Sequence, residues 1–458
     1  MYSLDDTIAA IATSIGQSGI GIIKLSGPEA LAIARQIFRP ATGNPPFKPY
    51  RLHYGHIIDP AAQIIIDEAL VVFMPKPHSY TCQDVIEIQA HGGPVSLRRI
   101  LQLALSLGAR LAEAGEMTLR AFLNGRIDLA QAEAVLDVIE AKTEAALRVA
   151  NEQLGGTLSA QISGVRAALL DTLAFLEASI DFVEDEIPVQ DVVGPLEKVM
   201  VQLAGLLKSA DQGLIYRQGI KAAIVGRPNV GKSSLLNALL RGNRAIVTDI
   251  PGTTRDTLEE TANVGGIPLV LVDTAGIRTE TADEVERIGV ERSQAALARA
   301  DIALMVIDGS QPLESGDWEI ARLIGRKPAV LIVNKNDLPS AHQPNGLADF
   351  LPGANQVDIS ALAQRGIDLL EGEIVRLALG GQVTLADTPL VSNPRHKALL
   401  QRALEQTQAA IRAQQEGLSP DLVSIDVREA VEALGSITGE TVTEDLLNTI
   451  FSKFCIGK

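Results

Sequence analysis

The sequence predicts three kinds of fold in one chain: an α+β zone, an all-α zone, and an α/β zone with a mainly parallel sheet inserted into the all-α part. Three observations carry this. Over residues 1–118 short apolar stretches alternate with Gly and Pro punctuation. Over 119–216, and again over 381–458, Ala, Leu and Glu recur at helical spacing. Over 217–380 apolar strands alternate with helical segments in the βαβ manner, which implies a mainly parallel sheet. A helical zone interrupted by an α/β zone points to domain insertion, tolerated where the ends of the inserted domain lie close together.

The elements follow in order. Residues 20–25, 68–73 and 85–89 read as strands, 44–49 (Asn-Pro-Pro-Phe-Lys-Pro) as an extended loop, and 94–107 as an amphipathic helix ended by Gly108. Residues 129–154 and 162–180 read as helices, Pro188 and the Gly194-Pro195 pair as breaks, and a further helix runs to about Ala210. In the α/β zone, 220–225, 267–272 and 329–333 are apolar strands, and a helix covers 234–240. Helical stretches return at 397–415 and 427–434.

The totals agree with several domains. At 458 residues the chain exceeds the roughly 250–300 residues at which single cores stop growing. Aromatics make up 3% of residues, so the cores must be built from Ala, Leu, Ile and Val. The formal net charge is −16 with no basic run, which argues against a broad nucleic-acid grip by this chain alone. Two distant cysteines, Cys82 and Cys455, are no disulfide framework and fit a reducing compartment. Acids at Asp5 and Asp6 stand where a signal peptide needs a basic region, and no apolar run reaches the ~18–20 residues of a membrane span. Gly457 and Lys458 do not fit the prenylation signal that a cysteine fourth from the end suggests. The expectation is a cytoplasmic protein with no membrane partner.

The strand at 220–225 runs into Gly226-Arg227-Pro228-Asn229-Val230-Gly231-Lys232-Ser233, followed by Ser234 at the start of a helix. This matches the phosphate-binding pattern G-x-x-x-x-G-K-[ST], in which glycines let backbone N–H groups turn toward phosphate oxygens. Lys232 can reach the β- and γ-phosphates, and the Ser233 hydroxyl can ligate Mg²⁺. The strand at 267–272 ends in Asp273-Thr274-Ala275-Gly276. Asp273 can hold Mg²⁺ through water, and the Gly276 N–H can sense the γ-phosphate. Asn334-Lys335-Asn336-Asp337 follows the strand at 329–333. Its Asp337 carboxylate can accept from guanine N1–H and the 2-amino group, donors that adenine lacks. Ser360-Ala361-Leu362 has the form of the loop that presents an N–H to guanine O6. Four motifs in order, each at a strand end, predict a P-loop G domain that binds and hydrolyses GTP, and they exclude an ATPase or metabolite kinase.

Between the first two motifs lies Thr248-Asp249-Ile250-Pro251-Gly252-Thr253-Thr254-Arg255-Asp256, whose Gly and Thr content suits a switch loop. Thr254 is the expected second hydroxyl on Mg²⁺, while Thr253 can equally be an ordinary turn residue. Ile277 occupies the place where Ras-type G proteins carry a water-orienting Gln. Water positioning must then come from elsewhere, and a carboxylate in the following switch helix is the obvious place. Asp283, Glu284 and Glu286 are all open to it, although any one such acid is more often a solvated helix face, and spacing does not choose among them.

Together Asn229, the 248–256 stretch, Asp283-Glu284-Val285-Glu286-Arg287, His91-Gly92-Gly93, the 121–126 stretch Ala-Phe-Leu-Asn-Gly-Arg and the final Cys455-Ile456-Gly457-Lys458 resemble the MnmE (TrmE) tRNA-modification GTPase family over the whole chain. The resemblance implies a folate-binding and dimerising α+β domain over 1–118, a helical domain in two parts over 119–216 and 381–458, and an inserted Ras-like G domain over 217–380. It implies K⁺-activated hydrolysis by pairing of G domains, with Asn229, Thr248, Ile250 and Thr253 as K⁺ ligands and Glu286 as the catalytic carboxylate. It further implies a 5-formyl-tetrahydrofolate-type cofactor held by Lys24, Glu87, Arg126 and Lys458, with Lys24 standing where the family pattern has Arg. Glu87 could pair with the pterin edge, although an isolated Glu on a strand is more often a solvated charge. Cys455 invites a nucleophile role, yet an unpaired terminal thiol is more often a bystander.

The implied reaction is 5-carboxymethylaminomethyl or aminomethyl modification of the wobble uridine of certain tRNAs. It is carried out by a homodimer in a heterotetramer-like complex with a flavoprotein of the MnmG (GidA) type, which would supply much of the tRNA grip. The competing reading is a G protein that docks on ribosomal RNA during assembly. That reading expects an appended RNA-binding module or a basic tail, and neither is visible.

Overall fold

The computed structural model describes residues 4–14, 16–43, 47–181, 191–242, 260–272, 293–340, 346–347, 350–380 and 391–457. They form two compact units, residues 1–136 with 434–458, and residues 137–433.

The first unit is built on a seven-stranded sheet, β1 Ile8–Ile11, β2 Gly21–Ser26, β3 Phe38–Pro40, β4 Leu52–Asp59, β5 Ile64–Met74, β6 Val85–Ala90 and β7 Arg110–Leu111, in the order β3-β4-β5-β6-β2-β1-β7. Side chains alternate between faces along each strand. Ala9, Ile23, Leu25, Val71, Ile86 and Ile88 therefore share one face, buried under helices α1 Ala30–Ile37 and α2 Pro94–Ser106. On the opposite face, register aligns Leu52, Val72, Glu87, Lys24 and Ala10 in one row across five strands. Helix α3 Glu116–Leu123 covers the Ala10 end through Met117, together with Ala112 and Tyr80. The other end is open, with Leu52 at 56% and Tyr54 at 50% exposure.

Helix α3, the start of α4 Leu129–Glu140 and the last helix, α13 Glu444–Phe451, bury Leu119, Leu129, Ala132, Leu447, Ile450 and Phe451 together. Gly115 makes this contact possible. Its φ is +68°, and a Cβ there would sit 2.6 Å from the Phe451 carbonyl. Ile456 then forms an antiparallel bridge with Ala114, and Gly457 lies against the backbone of Ile11 and Ala12 at the end of β1.

In the second unit, six strands follow the order β13-β12-β11-β8-β10-β9: β8 Ile220–Val225, β9 Glu260–Val264, β10 Ile267–Leu271, β11 Ile302–Asp308, β12 Ala329–Asn334 and β13 Asn355–Asp358. Pairing is parallel except between β9 and β10. A parallel sheet is covered on both faces and so reads as continuous apolar runs, as in the fully buried β11. Ala222, Ile224, Leu304 and Val306 face α8 Lys232–Gly242 and α10 Ile367–Ala378; Ala223, Val225, Met305 and Ile307 face α9 Ser315–Ile324. This unit also contains α5 Glu144–Leu154, α6 Thr157–Asp181, α7 Val193–Gln218, α11 Pro394–Gln415 and most of α12 Pro420–Thr438. Helices α7 and α11 pack together, and the segment leading into α11 passes so close that a Cβ on Gly213 would stand 2.3 Å from the Val391 carbonyl.

Three details differ from the sequence reading. The run over 129–154 is two helices, because Thr143 caps a new start by accepting from Ala146 N at 3.1 Å. Gly194-Pro195 opens α7 rather than breaking it, since a proline in the first turn forfeits no intrahelical bond. That helix continues past Ala210 to Gln218.

Candidate functional site

Strand β8 ends at Val225 and the chain turns through residues 226–231 into α8. The turn depends on backbone that only certain residues supply. Gly226 has φ +157° and a Cβ there would meet the Val306 carbonyl at 2.3 Å; Gly231 has φ +104° and a Cβ would meet Asn334 Nδ2 at 2.1 Å. Asn229 itself holds φ +62°, a region that Asn tolerates better than most residues. The Lys232 ammonium, 9% exposed, donates to the Gly226 and Arg227 carbonyls at 2.8 and 2.7 Å. It therefore lies along the loop that phosphate would occupy. Ser233 and Ser234 follow in the first turn of α8.

Arg227 points away from this mouth. Its guanidinium donates to Asp317 Oδ2 at 3.1 Å and pairs with Glu314 at 2.6 Å, fastening the loop to the start of α9.

The end of β12 carries the second half of the site. Asn334, 3% exposed, donates from Nδ2 to the Val230 carbonyl at 2.9 Å and accepts Ala361 N–H on Oδ1 at 3.0 Å. One side chain thus ties the phosphate loop to the 360–362 loop. Lys335, at φ +66°, reaches Asp308 at the end of β11 at 2.6 Å. Burial pushes the Asp308 carboxyl up, but hydrogen bonds from Lys335 and Ser310 outweigh it and hold the group below its ordinary value. The Asp337 carboxyl is also held low, chiefly by the Ser360 hydroxyl, so it stays an anion able to accept from a base edge. Ser360 is fully buried, and its backbone pairs both ways with Arg365 at 3.0 and 3.1 Å. That pairing fixes Ala361 and the 86% exposed Leu362 as a tight loop beside Asp337.

In the first unit, Lys24 and Glu87 are cross-strand neighbours, with Nζ 3.4 Å from Oε1. Tyr80 lies beside them. Its ring centroid is 6.0 Å from Lys24 Nζ and 4.7 Å from the Arg126 guanidinium carbon, and Arg126 also donates to the Tyr80 carbonyl at 3.3 Å. Burial pushes the Tyr80 phenol up, and its hydroxyl is bonded to the buried Thr118 at 2.9 Å. Cation, anion and aromatic face thus stand together on the open side of the sheet, a donor set suited to a flat, polar heterocycle. Arg126 also borders an open cavity of about 400 Å³ with Phe122, Asp128, Gln131 and Glu440.

Comparison with known proteins bears on these features together. Residues 129–455 match the family described as the MnmE helical domain, and residues 7–126 match the GTP-binding protein TrmE N-terminus. The chain belongs to the MnmE family. A tRNA modification GTPase MnmE of Roseiflexus castenholzii is 52% identical over 99% of both chains. That of Chloroflexus aurantiacus is 53% identical over 99% of this chain and 100% of its own. The Geobacillus kaustophilus MnmE is 49% identical over 99% of both.

Of the residues that the MnmE resemblance and the motifs single out, the structure brings the phosphate loop, at Val230 and Gly231, next to Asn334, and Asn334 next to Ala361. It also brings Lys24 and Glu87 next to Arg126 through Tyr80. Residues 248–254, 273–276, Glu286 and Lys458 lie outside the described residues. Cys455 is exposed, and its carbonyl accepts from Gly115 N at 3.4 Å. Tyr80, Asp308 and Arg227 were not anticipated as parts of these sites. Tyr80 had one signal, as a rare aromatic in a loop of an aromatic-poor MnmE chain. Among the described residues no helix is long and apolar enough to cross a membrane.

Proposed function

We propose that this chain hydrolyses GTP in the cytoplasm as part of tRNA modification. With an MnmG-type flavoprotein, it takes part in placing a carboxymethylaminomethyl or aminomethyl group on the wobble uridine. The observation that carries the GTP reading is the Asn334 link between the phosphate loop and the 360–362 loop, with Asp337 held as an anion beside it. The phosphate loop supplies N–H donors and Lys232, which orient and hold the triphosphate. Asp337 and the Ala361 loop select guanine by a donor pair that adenine cannot offer.

Ser233 and Thr254 are the hydroxyls to hold Mg²⁺, which supplies charge neutralisation on the β- and γ-phosphates. The Asn229 side chain starts from a left-handed backbone position in the phosphate loop and carries a neutral oxygen. Such an oxygen suits K⁺, with Thr248, Ile250 and Thr253 as the further ligands. Glu286 orients the attacking water.

Lys24, Glu87 and Arg126, around the Tyr80 ring, form the pocket for a tetrahydrofolate one-carbon donor, with Lys458 completing it. Two copies of the chain pair through the open face that carries Leu52 and Tyr54, because large side chains of that exposure favour a partner.

The test is steady-state GTP turnover by the pure chain in potassium and in sodium, alongside Glu286→Ala. Potassium-dependent turnover that collapses in the variant supports the reading. Equal slow rates in both salts remove the potassium mechanism and leave GTP binding in place. Tetrahydrofolate binding measured by calorimetry, lost in Glu87→Ala, tests the folate pocket separately.

A further inference from the structure

Strands β9 and β10 form a hairpin whose turn is Gly265-Gly266, with φ of +56° and +89°, the backbone that a tight two-residue hairpin turn demands. In sequence this hairpin joins the 248–256 stretch to Asp273. Its second strand pairs in parallel with β8, which leads directly into the phosphate loop. A shift of the hairpin along its own axis therefore changes where both nucleotide-sensing stretches begin and end.

The tip of the hairpin is held by residues from the helical part of the same unit. The Thr143 hydroxyl donates to the Gly266 carbonyl at 2.7 Å while accepting from Ala146 N at 3.1 Å. Thr143 is 6% exposed, so water competes poorly for either bond. Ala145 Cβ lies 3.1 Å from the place a Cβ on Gly266 would take, and Val375 Cγ2 is 2.6 Å from the corresponding place on Gly265. Lys142 Nζ approaches the Thr261 hydroxyl at 3.5 Å. At the same end of β10, a Cβ on Gly219, just after α7, would meet the Pro268 carbonyl at 2.2 Å. The hairpin is thus seated between the first turn of α5, the end of α7 and α10; Asn263 Oδ1 accepts from Gly266 N at 3.0 Å within the turn, and Thr143 makes the directional bond to its tip from α5.

We propose that Thr143 is a positioning residue of the GTPase. Its hydroxyl sets the register of the β9–β10 hairpin, and through it links the state of the nucleotide to the first turn of α5. Such a link is reciprocal: a nucleotide that prefers one hairpin register changes the protection of α5, and loosening the Thr143 bond changes the nucleotide cycle. The inference rests on GTP hydrolysis alone, not on the potassium or folate readings.

Two substitutions separate the hairpin bond from the helix cap. Thr143→Ser keeps donor and acceptor. Thr143→Asp keeps the cap, since a carboxylate accepts from Ala146 N, but has no proton for the Gly266 carbonyl. In the full chain, Thr143→Asp should lower kcat for GTP about five- to tenfold, the effect of one lost hydrogen bond, with GDP affinity changed less than about twofold. Thr143→Ser should stay within about twofold of the parent.

Hydrogen exchange followed by mass spectrometry should show faster exchange over 261–267 in Thr143→Asp, with α5 still protected. In the parent, protection at 143–147 should differ between GDP and a non-hydrolysable GTP analogue. The proposal is overturned if folded Thr143→Asp turns over at the parent rate, or if Thr143→Ser fails as badly as Asp. It is equally overturned if the kcat loss comes without faster exchange over the hairpin.

Discussion

Asn334 Nδ2 sits 2.9 Å from the Val230 carbonyl, so the turn proposed to cradle phosphate and the strand end proposed to recognise guanine are fastened by one buried amide. Asn334→Ala leaves the Val230 carbonyl and the Ala361 N–H without this partner. Each such buried group costs about 1–3 kcal/mol. The expected outcome is about ten- to hundredfold weaker binding of a fluorescent GDP analogue, measured by titration. Asn334→Asp keeps the acceptor for Ala361 N but sets a buried carboxylate oxygen against the Val230 carbonyl, so its loss should be at least as large as that of Asn334→Ala.

Asp337→Asn should invert base preference. In the proposed site the carboxylate would accept two donors from guanine, whereas an amide in its place would offer its own N–H against guanine's 2-amino group. Guanine nucleotide affinity should fall by about a hundredfold or more, as expected when a site built for paired donors is left mismatched. Xanthine nucleotides, which carry a carbonyl at that edge, should gain. Competition titrations with GTP and xanthosine triphosphate read both effects.

Arg227 anchors the phosphate loop from behind, and Asp317, 3% exposed, is its buried partner. Arg227→Ala takes a charged donor from that carboxylate and should destabilise the second unit by about 1–3 kcal/mol. Arg227→Lys should restore only part of this, because an ammonium cannot span Asp317 and Glu314 as a planar fork does. Protection of amides over 226–240 by hydrogen exchange reports the effect locally.

A partly buried network in the first unit predicts its acid response. Arg120, 1% exposed, bonds Asp6, Glu116 and Gln83, and Arg110 bonds Asp6 and Glu116. Burial pushes both carboxyls up, but the arginine hydrogen bonds prevail and hold them below their ordinary values of 3.8 and 4.5. A lowered folded value means stability that is present above the unfolded value and lost as pH falls through the folded one. The network's contribution is therefore intact at pH 7 and declines below about pH 4.5. Glu116→Gln should cost about 3 kcal/mol at neutral pH and flatten the pH dependence between pH 5 and 3. Exchange protection over 116–123 is the suitable measure, since a chain with two units does not unfold in one step.

The proposed nucleotide site is legible in the sequence because its signals are local. A glycine at Gly226 or Gly231 is dictated by the backbone of the turn itself, and the 334–337 and 360–362 motifs each sit within a few residues. What was not legible depends on contacts across the sequence. Strand β9 reads Glu-Thr-Ala-Asn-Val, a partly polar edge strand, and only its pairing with β10 makes it one. Strand β4 likewise carries His53, Tyr54, Gly55 and His56, with Gly55 required because a Cβ would meet the Arg39 carbonyl at 2.2 Å. Tyr80 gains its place from Thr118 and Arg126, both about forty residues away or more. Thr143 reads as one residue of a helical run, and only the Gly266 carbonyl, more than a hundred residues on, gives its hydroxyl a partner.

The seat that Gly457 takes against Ile11 and Ala12 has a consequence for synthesis. The first strand of the N-terminal sheet and the helix at 444–451 are finished on the ribosome roughly 430 residues apart, yet they belong to one unit. The earliest part of the chain must wait, incompletely covered, while the whole of residues 137–433 emerges and folds. A ribosome that stalls before residue 444 would release a nascent chain able to fold its nucleotide-binding unit but with Leu119, Leu129 and Ala132 bare. Such a product is a natural client for chaperones.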